Sequence, residues 1–229
     1  AVLKASGIEE RKRELTAFFW SGDLSIMAST LQPPPTSFSL NSEHIAKTHR
    51  TLGLRCHDRY FRDAMVCDET GTKLYAFTAK DLGSSWSLRR SLVDANSGAH
   101  LLDLRHTNWS VNKWIIENTA AKEVCKIKDV TSSRNGGFTA VDVQFIDDDG
   151  GITNLEMRSF DKAGSRTTFG VEGVVVAEMT LTDNNDAAFL HRRGLDRTAW
   201  KLEVAEGVDV SLVVALAFAR AEISHSWRR

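Results

Sequence analysis

From about residue 50 the chain runs as short stretches of alternating apolar and polar side chains, broken by turn-forming residues. Alternation of period two marks strands with one buried face. Met65-Val66-Cys67-Asp68 and Lys73-Leu74-Tyr75-Ala76-Phe77 flank Glu69-Thr70-Gly71-Thr72, which predicts a hairpin with a glycine turn. Trp86–Asp94 alternates in part, and a turn at Ala95-Asn96-Ser97-Gly98 leads into His100–Arg105. Further strands are expected over Val111–Glu117, Glu123–Lys128, Phe138–Phe145, Thr153–Phe160, Thr167–Thr182 and Ala199–Val204. Turn clusters at Asn135-Gly136-Gly137, Asp147-Asp148-Asp149-Gly150-Gly151, Lys162-Ala163-Gly164 and Asp183-Asn184-Asn185-Asp186 separate them. Strands at roughly ten-residue spacing predict a barrel or a sandwich.

Both ends depart from this rhythm. Residues 8–20 are rich in helix formers, with Leu15, Phe18 and Phe19 on one face. The uncharged stretch Leu24–Ser42, containing Pro33-Pro34-Pro35, reads as a linker. Residues 1–45 are thus expected to form an N-terminal arm, and 46–229 the main domain. At the other end, Val210–Ala219 (VSLVVALAFA) is apolar on nearly every side. A surface helix keeps a polar face, so this one must be enclosed. Asp209 is placed as its N-cap, with Val208 and Val213 as a hydrophobic staple. An all-β domain ending in one enclosed helix predicts a closed antiparallel barrel wrapped around that helix.

Composition narrows the function. The 229 residues carry 29 basic and 30 acidic side chains and are 42% hydrophobic. A net charge of −1 lacks the basic footprint of a nucleic-acid binder, and none is expected as partner. Cys56, Cys67 and Cys125 form no C-x-x-C pair, which disfavours a disulfide framework or a thiolate zinc site. Ala1-Val2-Leu3-Lys4 runs into the charged Glu9–Glu14 rather than an apolar core, so no signal peptide is expected, and a cytoplasmic location is. The ten apolar residues from Val210 rise about 15 Å as a helix, half a bilayer core, so no transmembrane span is expected.

The order of elements resembles the LURP-one-related proteins, which share the tubby-like fold with phospholipid scramblases and tubby domains. The resemblance covers about residues 52–227. It rests on Gly71-Thr72-Lys73-Leu74-Tyr75-Ala76-Phe77, on Leu92–Gly98 leading to Leu101-Leu102-Asp103-Leu104-Arg105 with Trp114 following, and on Val174-Val175-Val176-Ala177-Glu178-Met179. Its most specific stretch is Trp200–Asp209 running into the apolar helix. The resemblance implies a barrel of about twelve strands around a C-terminal helix. It implies little about activity: tubby domains bind phosphoinositides, and scramblases are linked to lipid movement. The scramblases' cysteine-rich palmitoylated stretch has no counterpart among the three scattered cysteines, which disfavours a scramblase role.

Candidate chemistry is sparse. His57-Asp58 and His100/Asp103/His106 have the residue types for proton transfer, with His57, Asp58 and His106 the catalytic candidates, but spacing by three keeps the second set from sharing one strand face. Ser85, Ser87, Ser91 and Ser110 lack a G-x-S-x-G elbow, and no phosphate-binding glycine loop is present. Asp147 and Asp149 are the metal candidates, but the run lacks EF-hand spacing and reads better as a solvated turn; neither metal nor cofactor is expected. For an anionic headgroup the candidates are Arg89, Arg90, Lys126, Lys128, Arg192 and Arg193, with Lys126 and Lys128 on one strand face. Trp86, Trp114 and Trp200 are candidates to line a small-ligand pocket. The leading expectation is a non-catalytic tubby-like domain that binds a lipid headgroup, a small ligand or a protein partner, with peripheral membrane contact. The alternative is an isomerase- or cyclase-type enzyme of secondary metabolism working in a pocket of the barrel, which needs only a shaped cavity and one or two polar groups.

Overall fold

The computed structural model describes residues 30–56, 63–79, 89–107, 110–132, 136–147, 149–184 and 198–226. The expected helix at 8–20, together with His57, Asp58, Trp86, Arg192 and Arg193, lies outside them. Leu31–Arg229 form one unit, which holds the barrel.

Twelve strands form that barrel: β1 (Arg50–Cys56), β2 (Asp63–Asp68), β3 (Lys73–Ala79), β4 (Arg90–Asp94), β5 (His100–Thr107), β6 (Ser110–Asn118), β7 (Glu123–Asp129), β8 (Ala140–Ile146), β9 (Ile152–Ser159), β10 (Arg166–Val171), β11 (Val174–Asn184) and β12 (Thr198–Val204). Each pairs antiparallel with its neighbours in sequence, and β1 against β12 closes the ring. Closure leaves the sheet no open edge. The alternation read from the sequence is realised directly. Val141, Val143 and Phe145 of β8 and Trp200, Leu202 and Val204 of β12 point into the core, and so do Leu52, Leu54 and Cys56 of β1, a strand absent from the expected set.

The helix α1 (Val210–Ser226) fills the axis. Every residue from Val210 to Ala221, and Ile223, is buried. Its side chains meet walls on opposite sides. Phe218 stacks on Phe77 of β3 at 4.1 Å between ring centroids, and Arg220 Nη2 donates to Ser159 Oγ of β9 at 2.7 Å. A barrel of this girth needs a filler, and burial of Leu212, Leu216 and Phe218 stabilises it by about 1.5–3 kcal/mol per side chain.

Asp209 is the expected N-cap. Its Oδ1 accepts from the Leu212 N–H at 3.2 Å and from Ser211 Oγ at 2.6 Å. Its Oδ2 accepts from the backbone N–H groups of Leu40 and Asn41, at 2.9 and 3.1 Å. The stretch Leu31–Ala46 therefore lies on the barrel end where the helix begins. Gln32 N–H donates to Val175 O, Ala46 N–H to Val208 O, and Phe38 is buried in the core. Gly207, at φ +81°, lets the chain turn from β12 into this contact.

One expected element divides. The strand foreseen over Thr167–Thr182 is the hairpin β10–β11, closed by Glu172-Gly173 with Val171 opposite Val174. Both turn residues have positive φ, 51° and 83°, the geometry of a type I′ turn. Glu172 carries no turn signal in the sequence, so the break is imposed by strand pairing. The strand expected from Trp86 begins at Arg90 among the described residues.

Candidate functional site

Three polar constellations stand out on this frame. The first is inside the barrel at the end where α1 finishes. Arg90, 2% exposed, points inward from β4 and binds Glu222 of α1 through both Nη atoms, at 2.8 and 2.9 Å. His106 Nε2 lies 3.1 Å from Glu222 Oε1, and its ring packs on Trp114 with centroids 4.6 Å apart. Burial opposes ionisation of Glu222, but Arg90 and the hydrogen-bonding His106 outweigh it and hold the carboxyl below its ordinary value. The Arg90 guanidinium also lies 5.6 Å from the centroid of the Phe218 ring. Arg90 thus anchors the helix and presents no charge to a headgroup.

The second lies on the outer face of β4–β5–β6. Arg89 bridges Asp103 and Glu117 at 3.1 and 2.6 Å, and Arg105 adds two bonds to Glu117 at 2.9 and 2.7 Å. The pairing of β5 with β4 slips at Leu101: Leu92 faces Leu102 while Val93 faces His100. This bulge puts His100 on the face of Asp103, 3.0 Å from its Oδ1, and leaves His106 on the opposite face. Ser91 Oγ donates to the same Asp103 oxygen at 2.6 Å. A serine nucleophile needs a base on its hydroxyl, and here the hydroxyl is given to the carboxylate rather than to the histidine. The arrangement ties strands together and does not activate Ser91.

The third is a groove of about 840 Å³ across the outer faces of β6–β9. Strand register sets its side chains in two rows. Lys113, Lys128, Asp142 and Glu156 stand opposite one another across four strands, and Ile115, Lys126, Gln144 and Asn154 form the next row. Arg158 reaches across to clamp both carboxylates, Asp142 at 2.7 Å and Glu156 at 2.9 Å. Lys126 is held loosely, 3.5 Å from Glu123. Lys113 and Lys128 are exposed cross-strand partners, and neither makes an ion pair among the described residues. The amides of Gln144 and Asn154 are exposed and make no hydrogen bond among the described residues, and Ile115, 5% exposed, is part of the lining.

The expected site residues are therefore scattered. Lys126 and Lys128 share the groove; Arg89 and Arg90 are on opposite faces of the barrel wall and are both spent on carboxylates. Trp114 and Trp200, 2% and 5% exposed, belong to the core. Asp147 caps its own hairpin, its Oδ1 accepting from the Gly151 N–H at 2.6 Å, and Asp149 is exposed. Among the described residues no three His, Cys, Asp or Glu side chains are grouped to hold a metal. Cys56, Cys67 and Cys125 are buried and form no disulfide among the described residues, and burial pushes the Cys125 thiol upward. Among the described residues no helix is long and apolar enough to cross a membrane. Sequence reasoning missed Lys113, Gln144, Asn154 and Glu222 as site residues. Only β-register shows that Lys113 faces Lys128.

Comparison with known proteins gives a consistent picture. The family model described as LURP-one-related matches residues 50–221. An X-ray structure of an Arabidopsis thaliana protein superposes with a TM-score of 0.51 at 15% identity, covering 82% of this chain and 99% of that one, a likeness of fold. No curated protein matches.

Proposed function

The chain belongs to the LURP-one-related family, and on that premise we propose that it is a non-catalytic tubby-like barrel domain that binds an anionic ligand on its outer wall. The observation that carries this reading is the Lys113–Lys128 pair. Like charges directly opposite on a sheet face are unfavourable, and an anion seated between them removes the repulsion. The other basic groups on this face are already engaged: Arg158 with two carboxylates and Lys126 with one.

The filled interior supports binding over catalysis. Helix α1 occupies the axis that a substrate would need, and the Ser91/Asp103/His100 cluster is arranged for structure. Three buried cysteines with no disulfide among the described residues fit a reducing, cytoplasmic setting. An anionic lipid headgroup at the groove would bring the protein to a membrane surface without a span, with about 1 kcal/mol per cation near the surface. Liposome co-sedimentation across headgroups, alongside calorimetric titration with soluble phosphates, tests the reading. Binding lost in Lys113→Glu supports it; binding of no anion in either assay overturns it.

A further inference from the structure

Resting on that reading, we infer that the β6–β9 groove is specific for a phosphate monoester carried on a hydroxylated body, with Lys113 and Lys128 taking the phosphate and Gln144 and Asn154 the hydroxyls. The two kinds of group are laid out in order across the sheet. Lys113 and Lys128 are directly opposite, so their flexible side chains can reach one point charge from both sides. Each supplies three donors and no acceptor, which suits a dianion. A dianion gains twice from such a pair what a monoanion does, so the site favours a monoester over a diester or a carboxylate.

The next row changes chemistry. Gln144 pairs with Lys126 on one side and Asn154 on the other, so two primary amides lie side by side. An amide both donates and accepts, which matches a hydroxyl, itself donor and acceptor. Strands lie about 5 Å apart and alternate residues about 7 Å apart along a strand, so Gln144 and Asn154 fall roughly 8–12 Å from Lys128. That span suits a sugar- or polyol-sized body. Arg158, on the far side of the lysine row from the amides, neutralises Asp142 and Glu156, which would otherwise repel the incoming phosphate. The groove's volume, about 840 Å³, accommodates such a ligand.

The test titrates the full chain with inorganic phosphate, sulfate and glucose 6-phosphate, and separately with phosphatidylcholine vesicles lacking or containing phosphatidylinositol 4-phosphate. Binding of glucose 6-phosphate, or of the doped vesicles alone, at about tenfold or more over inorganic phosphate is expected; which arm responds identifies the soluble or the lipid source. Lys113→Glu is expected to lower every phosphate interaction about tenfold or more, with the melting temperature retained as the check on folding. The double variant Gln144→Ala/Asn154→Ala is expected to leave inorganic phosphate unchanged and to bring glucose 6-phosphate or the doped vesicles down to its level. If anions bind through Lys113 but the body adds nothing, or the amide variant is silent, the specificity is overturned and the binding reading stands. If Lys113→Glu folds and changes no anion's binding, the binding reading itself falls.

Discussion

Arg90 of β4 and Glu222 of α1 are joined by two hydrogen bonds, at 2.8 and 2.9 Å, across 132 residues of chain. The pair fastens the last turns of the axial helix to the wall that surrounds it. Both groups are largely buried, so removing one partner strands a charge with little water to solvate it. Arg90→Ala or Glu222→Ala is expected to destabilise by about 3–5 kcal/mol, whereas Arg90→Met with Glu222→Leu costs much less or nothing. Urea unfolding of the single and double variants checks this, and equal losses in all three would contradict it.

The same carboxylate gives the acid limb of stability a definite sign. Glu222 is held below its unfolded value of 4.5. A carboxyl that titrates lower in the folded state contributes stability above its unfolded value, and that contribution is lost as pH falls through the folded one. The protein is therefore expected to lose stability progressively below about pH 4.5. The Glu222→Gln variant, already destabilised, should show a flatter acid limb. Thermal melts from pH 7 to pH 3 on both proteins measure the difference in slope.

At the opposite end, Asp209 connects three segments with one side chain: it caps α1 through Leu212 and holds the backbone of Leu40 and Asn41. Loss of an N-cap costs about 0.5–2 kcal/mol, and here two further backbone N–H groups lose their acceptor. Asp209→Ala is expected to exceed that range, and Asp209→Asn to stay within it. Hydrogen exchange should locate the effect: the Leu40, Asn41 and Leu212 amides lose protection first, while those of β7 and β8 keep theirs.

The helix as filler predicts a cavity effect. Leu216 is fully buried midway along α1, enclosed by the barrel wall. Leu216→Ala is expected to cost about 2–5 kcal/mol, since a closed ring of paired strands collapses poorly into a void. Leu216→Met, close in volume, should cost under about 1.5 kcal/mol. Calorimetric melts of both separate a packing role from a simple loss of helix propensity, which Ala would raise.

How far the sequence was readable follows the range of the interactions. Period-two alternation and glycine turns are local, so Val141/Val143/Phe145 and Trp200/Leu202/Val204 declared their strands and inner faces, while β1 (Arg50–Cys56) was not among the expected strands. The all-apolar face of Val210–Ala219 declared an enclosed helix, and Asp209 its cap. Glu172-Gly173 did not declare a turn, because a glutamate at positive φ has no compositional signature. The bulge at Leu101, which decides that His100 meets Asp103, is a property of the β4–β5 pairing and not of either strand. The candidate site lay beyond reach for the same reason. Lys126 and Lys128 share a face within one strand, but their relation to Lys113, Gln144 and Asn154 depends on the register of four strands.

That register makes one prediction in which stability and binding move in opposite directions. Lys113 and Lys128 repel across β6 and β7, and cross-strand charge pairs on a sheet face are worth about 0.2–1 kcal/mol. Lys113→Glu converts the repulsion to an attraction, since its nearest cross-strand partner is Lys128 and the two carboxylates beyond it are already clamped by Arg158. The ligand-free variant is expected to melt at the same temperature as the parent or a few degrees higher. A pair kept only as solvated surface charge would show that gain with no loss elsewhere. A pair that holds an anion shows the gain together with loss of phosphate binding, and the parent's melting temperature rises with added phosphate while the variant's does not. Because surface charge is screened, the stability gain should shrink between low and physiological salt. A variant that melts well below the parent at low salt would mean that Lys113 has a packing role, and the repulsion argument would fail.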